Sequence, residues 1–350
     1  MFRAPALAGY REEMATRLCL LTVHAHPDDE ASKGPATVAR YHDEGVHTVL
    51  VCCTGGEEGD ILNPAMDTPE VRADLPAVRR RELETATAVI GYDEVVMLGY
   101  RDSGMPDTPP NQNPECFARA PLEEAVGRLV AVIRRVQAQV IVTYGDDQQG
   151  YPHPDHLRVH EISVAAFDAA GDPGAFPEAG PAFQPLKLYY VGWSAARILA
   201  LHEKFLDLGL ESPFDDAWLE RATKQLRPYT TAVDISDYAD VRRQALLAHA
   251  TQVDPVSPFW FGLPPEVARS VHPVDEYVLA RSLVGPAEPG AGPAIRTWAG
   301  DGAASDASDR HARHGATDGA DPDGISGRAQ ADAEVVEDDL FAGVRDLAAR

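Results

Sequence analysis

No apolar run in this chain of 350 residues approaches the ~20 consecutive residues that a membrane helix needs. A helical membrane span is therefore not expected. The first residues carry Arg3, Arg11, Glu12 and Glu13 and no apolar stretch of the kind a secretory leader requires, so a cytoplasmic location is expected. Cations are scarce beside anions: 31 Lys and Arg face 55 Asp and Glu, a formal net charge of -24. A field of that sign repels nucleic-acid backbones and anionic membranes, and neither is expected as a partner. The four cysteines, Cys19, Cys52, Cys53 and Cys116, lack the paired spacing of a thiolate zinc site and read as reduced core residues. A Gly-x-Ser-x-Gly elbow is also missing, which weighs against a serine hydrolase. With neither a GxGxxG run nor a Lys-Ser/Thr ending, Gly55-Gly56 is a weak phosphate signal.

What is present is an alternation of short apolar runs and amphipathic stretches. Strands are expected at 18–23, 47–53, 94–98, 140–144 and 186–191, and helices at 34–44, 78–90, 122–136, 156–170 and 241–250. Strands alternating with helices imply an α/β fold: a Rossmann-like, mostly parallel sheet flanked by helices, with ligands beyond the carboxyl ends of the strands. The expected organisation is an unstructured extension over 1–13, with Met14 a candidate start, then a catalytic domain over 14–193. A smaller C-terminal lobe at 194–284 would contribute to the substrate pocket. Residues 285–333 are dominated by Gly, Ala, Asp, Pro, Ser and Arg and cannot bury enough surface to order themselves, so a disordered linker is expected there. An acidic and apolar segment, 334–350, is placed to dock back onto the body. Truncation after Pro286 is nevertheless expected to leave most activity.

Two runs following expected strands carry the chemistry: His26-Pro27-Asp28-Asp29-Glu30 and His153-Pro154-Asp155-His156. Either alone reads equally well as a solvated turn or a helix cap. Together they supply three ligands for one divalent ion, most simply Zn²⁺, and a base besides. If His26 and Asp29 open a helical turn, their spacing of three puts both on one side, and His156 completes the set. Asp28 is then the candidate general base, and His153 the proton donor or oxyanion partner. Asp155 is expected to orient His153, and Tyr151 to add a hydroxyl donor at the rim. His160 reads as a supporting group, and His24 and His42 as packing or surface residues. Of Arg79, Arg80 and Arg81, at least two are expected on a solvated helix face.

With Ala25 before His26, these motifs resemble the hallmarks of the PIG-L/LmbE-like metal-dependent N-deacetylases, over roughly residues 16–284. The resemblance implies a Rossmann-like fold, one zinc ion per chain held by His26, Asp29 and His156, and hydrolysis of N-acyl groups on glucosamine-type sugars. It also implies Asp28 as base, and His153 as acid or oxyanion partner with Asp155 behind it. Further stretches are Ser32-Lys33-Gly34, Thr54-Gly55-Gly56-Glu57, Ile61-Leu62-Asn63-Pro64-Ala65-Met66-Asp67, Gly150-Tyr151-Pro152 and His249-Ala250-Thr251-Gln252-Val253-Asp254-Pro255. These resemble the branch of the family that cleaves mycothiol S-conjugates more than the sister branch that deacetylates N-acetylglucosaminyl-inositol. Lys33 is the most telling residue, whereas Arg101-Asp102-Ser103-Gly104-Met105 is similar to both branches. By the same likeness Lys33, Arg79 and Asp102 would bind substrate. That substrate would be a small thiol-sugar conjugate, split into glucosaminyl-inositol and a mercapturic acid. Its thioether group would meet an open, partly apolar wall, for which Phe259, Trp260 and Phe261 are candidates.

Overall fold

Apolar runs too short for helices become strands buried on both faces. In the computed structural model, which describes residues 17–147, 151–224, 229–284 and 337–348, the first is β1, Cys19–His24, buried at every position. It is followed by β2 (His47–Thr54), β3 (Glu94–Tyr100), β4 (Val140–Tyr144), β5 (Lys187–Val191), β6 (Thr231–Asp234) and β7 (Val274–Ser282). They form one seven-stranded sheet in the order β3-β2-β1-β4-β5-β7-β6. The first five strands run parallel, and β7 lies antiparallel to both β5 and β6. The fold is thus α/β with a mixed sheet. β3, at the sheet edge, is the one of the first five whose residues alternate in exposure, as an edge position allows.

The alternation of side chains along each strand divides the core into two layers. On one face Leu21, Val23 and Ile141 pack with Leu129 and Ile133 of helix Leu122–Val136 and with Val159 and Ile162 of helix Pro154–Ala170. On the other, Leu20, Val140 and Val142 pack with Val38, Ile90 and Leu246 from helices Pro35–Asp43, Leu75–Ile90 and Ala239–Ala248. Each such Leu, Ile or Val withdraws apolar surface worth about 1.5–3 kcal/mol, so the sheet is clamped from both sides.

The chain leaves β1 toward β2 and β3, then crosses back to β4 on the other side of β1. Strand order reverses between β1 and β4, and the crevice at their carboxyl ends is where such sheets bind ligands. Both His-rich runs begin there.

Residues 194–284, expected as a separate lobe, contribute β6 and β7 to the same sheet. Neither strand was expected, because each pairs only with partners distant in sequence. The remaining helices of this stretch close over the crevice around Phe205, Phe214 and Leu263. The expected extension over 1–13 and linker over 285–333 lie outside the described residues.

The C-terminal segment packs into the body. Leu340, Phe341 and Val344 are fully buried, and Phe341 meets Tyr41 edge-on with ring centroids 5.3 Å apart. Glu337 accepts from the buried Lys187 Nζ at 2.7 Å and from Tyr189 Oη at 2.6 Å, and it bridges to the first residue of β6, Thr231. Losing this segment strands a buried ammonium and removes three core side chains. Truncation after Pro286, expected to leave most activity, would remove this packing. Ending the chain there should cost about 3–5 kcal/mol from the broken ion pair alone and lower the melting temperature by about 10 °C. A thermal melt of the truncated protein matching the full chain would refute this.

Candidate active site

The loop after β1 is tied down by main-chain demand before any chemistry is considered. The carbonyl of Ala25 accepts from Thr54 N–H at 2.9 Å and Thr54 Oγ1 at 3.0 Å, while Ala25 N–H donates to Tyr144 Oη at 3.1 Å. The ends of β1, β2 and β4 are thereby locked together. Pro27 and Asp28 then turn the chain into the short helix Asp29–Ser32. Asp28 makes that turn with φ 112°, left-handed backbone that costs a non-glycine residue about 1–3 kcal/mol.

The turn aims three donors at one point. His26 Nδ1 and His156 Nε2 lie 3.4 and 3.3 Å from Asp29 Oδ2, and the ligand atoms of the three residues fall within 4.8 Å of one another. His156 sits one turn into helix Pro154–Ala170, its ring stacked on Tyr144 with centroids 4.5 Å apart. The other face of His26 meets two more carboxylates, with Nε2 3.2 Å from Asp155 and 3.5 Å from Asp102. Burial opposes charge on His26, but the carboxylates of Asp102, Asp155 and Asp29 outweigh it and push the imidazole well above its usual range. Three carboxylates within 3.5 Å of one imidazole make a negative cage that suits a cation. Two imidazoles and a carboxylate are the mixed donor set that zinc accepts with a position left for water or substrate, so the residues fit such an ion.

Around this group stand the remaining expected residues. Lys33 Nζ is 2.6 Å from Asp29 Oδ1. Burial would raise the Asp29 carboxyl, yet Lys33 and His156 hold it well below the ordinary carboxylate range. Asp28, beside it, is raised by burial despite the Arg79 guanidinium 2.9 Å away. His153 caps helix Pro154–Ala170, its Nδ1 accepting from Asp155 N–H at 3.2 Å. Burial and the charges of His26 and His156 lower the His153 pKa to about 4. The neutral ring then carries its proton on Nε2, as a donor. Tyr151, half exposed at 52%, stacks over His153 with centroids 6.0 Å apart.

Three expectations are corrected. The Asp155 carboxylate, fully buried, accepts from His26 Nε2 and from Ser103 N–H and Oγ, so it orients the metal-side imidazole and not His153. Positions two apart on a helix do not face each other, and only the main chain of Asp155 reaches the His153 ring. Gly56, at φ 64°, accepts from Arg79 through its carbonyl, and a side chain there would collide with the guanidinium. Arg79 is buried with its amino groups spent on Asp28 and the carbonyls of Pro27 and Gly56, while Arg80 and Arg81 are exposed. Phe261 lies away from the crevice, under the Arg243 guanidinium.

Asp102 is buried, its carboxylate accepting from Gly104 N–H at 2.8 Å and Glu58 N–H at 3.3 Å. His160 Nδ1 meets the Tyr144 carbonyl at 3.0 Å, a supporting contact. His24 is fully buried, and burial lowers its pKa to about 4.

His26, Asp28, Asp29, Tyr151, His153 and His156 line a cavity of about 650 Å³ that Trp193, Trp218, Phe259 and Trp260 also line. Trp193 and Phe259 stack at 5.6 Å with planes 3° apart, and Trp260 stands perpendicular to Phe259 at 4.7 Å. Trp193 and Trp218 were not singled out from the sequence. Trp193 lies two residues beyond β5, so the rule that ligands bind past strand carboxyl ends was the available signal.

The sequence profile of the PIG-L family, described as GlcNAc-PI de-N-acetylase, matches residues 21–167. The chain is 46% identical over 280 residues to the mycothiol S-conjugate amidase of Streptomyces coelicolor, covering 77% of this chain and 94% of that one. It is 39% identical over 278 residues to the 1D-myo-inositol 2-acetamido-2-deoxy-alpha-D-glucopyranoside deacetylase of Geodermatophilus obscurus, again covering 77% and 94%. The N,N'-diacetylchitobiose deacetylase of Pyrococcus horikoshii shares the fold with a TM-score of 0.50 at 16% identity, covering 80% of this chain and 94% of that one. Among the described residues no helix is long and apolar enough to cross a membrane.

Proposed function

The chain belongs to the PIG-L family of amide-cleaving hydrolases, and on that premise we propose that it hydrolyses the amide of mycothiol S-conjugates, releasing glucosaminyl-inositol and a mercapturic acid. The observation that carries this reading is the group of aromatic side chains that lines the same cavity of about 650 Å³ as His26, Asp29 and His156. An acetyl group would leave such a wall untouched, whereas a bulky thioether would reach it. The higher identity to the Streptomyces coelicolor amidase, 46% against 39% for the deacetylase relative, supports the same choice. Deacetylation of N-acetylglucosaminyl-inositol, which needs the same polar residues and a smaller acyl pocket, is the second reading.

The steps follow from where the side chains stand. His26, Asp29 and His156 would hold a Zn²⁺ ion, which when bound would supply Lewis acidity near neutral pH. Asp28, at the cavity, takes a proton from the attacking water as the new C–O bond forms. His153, neutral with its proton on Nε2, donates toward the oxygen that becomes negative, and Tyr151 stands beside it. The C–N bond then breaks, the amine nitrogen takes the proton that Asp28 carried, and an amine and a carboxylic acid leave. Asp155 and Ser103 hold His26 in register throughout.

Purified, zinc-loaded protein should turn over a mycothiol bimane conjugate with higher kcat/KM than N-acetylglucosaminyl-inositol. The reverse ranking would favour the deacetylase. Trp260→Ala should raise KM for the bimane conjugate roughly tenfold, the size of a lost aromatic contact of about 1.5 kcal/mol, with little change for the acetylated sugar. Equal effects on both substrates would remove the aromatic wall from the argument.

A further inference from the structure

Asp28 holds a left-handed backbone at φ 112°; its carbonyl accepts from Ala31 and Ser32 N–H, and its own N–H is held by a second carboxylate that the reaction does not use. Glu30 is fully buried. Its Oε2 accepts the main-chain N–H of Asp28 at 2.9 Å, and its Oε1 meets His249 Nε2 at 2.5 Å. His249, 219 positions away along the chain, is also fully buried. We propose that Glu30 and His249 are a positioning pair that sets the direction of the Asp28 carboxylate, a role that rests on Asp28 acting as the base.

Two features separate this from ordinary packing. First, Glu30 is divided between its partners: one oxygen serves the base's own backbone and the other is spent on His249, so turning Glu30 releases Asp28 directly. Second, His249 opens a segment that also builds the cavity. Thr251 donates to Glu82 through both N–H, at 2.8 Å, and Oγ1, at 2.6 Å. The Ala250 carbonyl accepts from Asn63 Nδ2 at 2.9 Å, and the next residues, Gln252 and Val253, line the wall. The pair therefore joins the base on the loop after β1 to a segment that lines the substrate cavity. Arg79 grips the Asp28 carboxylate and the first turn of the following helix holds its carbonyl, while Glu30 alone takes up its main-chain N–H.

The test uses zinc-loaded full-length protein and a mycothiol bimane conjugate. Glu30→Ala should lower kcat on the order of 10²-fold, the effect of misplacing a catalytic group by about 1 Å, with KM within about twofold and metal content unchanged. Glu30→Gln keeps an oxygen for Asp28 N–H and should recover most of the loss. In an Asp28→Ala background, Glu30→Ala should cost nothing further, because both act through one group. Independent, multiplying losses would overturn the proposal, as would an unchanged kcat in Glu30→Ala. If Glu30→Ala fails to fold, His249→Gln, which keeps a donor for Glu30, should outperform His249→Ala in kcat at equal KM; equal activity of the two would also overturn it. Full turnover by Asp28→Ala alone would instead sink the assignment of the base.

Discussion

Asp28→Ala should reduce kcat by about 10²–10⁴-fold, the usual contribution of a positioned general base, while the protein keeps its full complement of metal. The reason lies in the division of labour within the turn after β1. Asp29 points at His26 and His156, whereas Asp28 turns toward the cavity against Arg79. Burial raises the Asp28 pKa, and a carboxylate with a raised pKa is the better proton acceptor. Removing it leaves the buried Arg79 guanidinium without its carboxylate and keeps a non-glycine residue at φ 112°, so stability should fall as well. Steady-state kinetics beside elemental analysis reads both quantities. Unaltered turnover in the variant would take Asp28 out of the mechanism, and loss of metal would move it among the ligands.

His156→Ala should lose bound metal on dialysis and with it about 10³-fold or more in kcat, since the Lewis acidity of such an ion contributes several kcal/mol to the barrier. Its Nε2 is one of three donors converging within 4.8 Å, and two donors do not make the closed side of a tetrahedral site. Tyr144, against which the ring stacks, would lose contact area only. A melting temperature close to that of the parent stripped by a chelator is therefore expected. Chelation of the parent should reproduce the kinetic loss, and added Zn²⁺ should restore the parent but not the variant. Stoichiometric zinc in His156→Ala would refute the ligand set.

The positions of the central strands and of the His-rich runs could be read along the chain because both are local signals. A strand buried on both faces is a continuous apolar run, as in β1 and β4, and a helix cap is a side chain beside its own backbone, as at His153. β6 and β7 escaped notice because each is defined by distant pairing, and their exposure patterns are mixed. The role of Asp155 was misjudged for a related reason. Its neighbour in sequence is His153, but the helix turns its carboxylate toward His26, 129 positions away.

From residue types and spacing alone, this protein is an acidic α/β hydrolase with enough imidazole and carboxylate to hold one divalent ion and a base beside it. Tertiary structure alone brought β1 beside β4, so that His26 and His156 share Asp29. It alone set Trp193 and Phe259 in the same cavity as them, joined Glu30 to His249, and folded the C-terminal segment onto Lys187. The physical reason is that composition and periodicity decide which elements form and which faces seek burial. Which distant side chains meet depends on the order in which the strands pack, and that order is a property of the whole sheet.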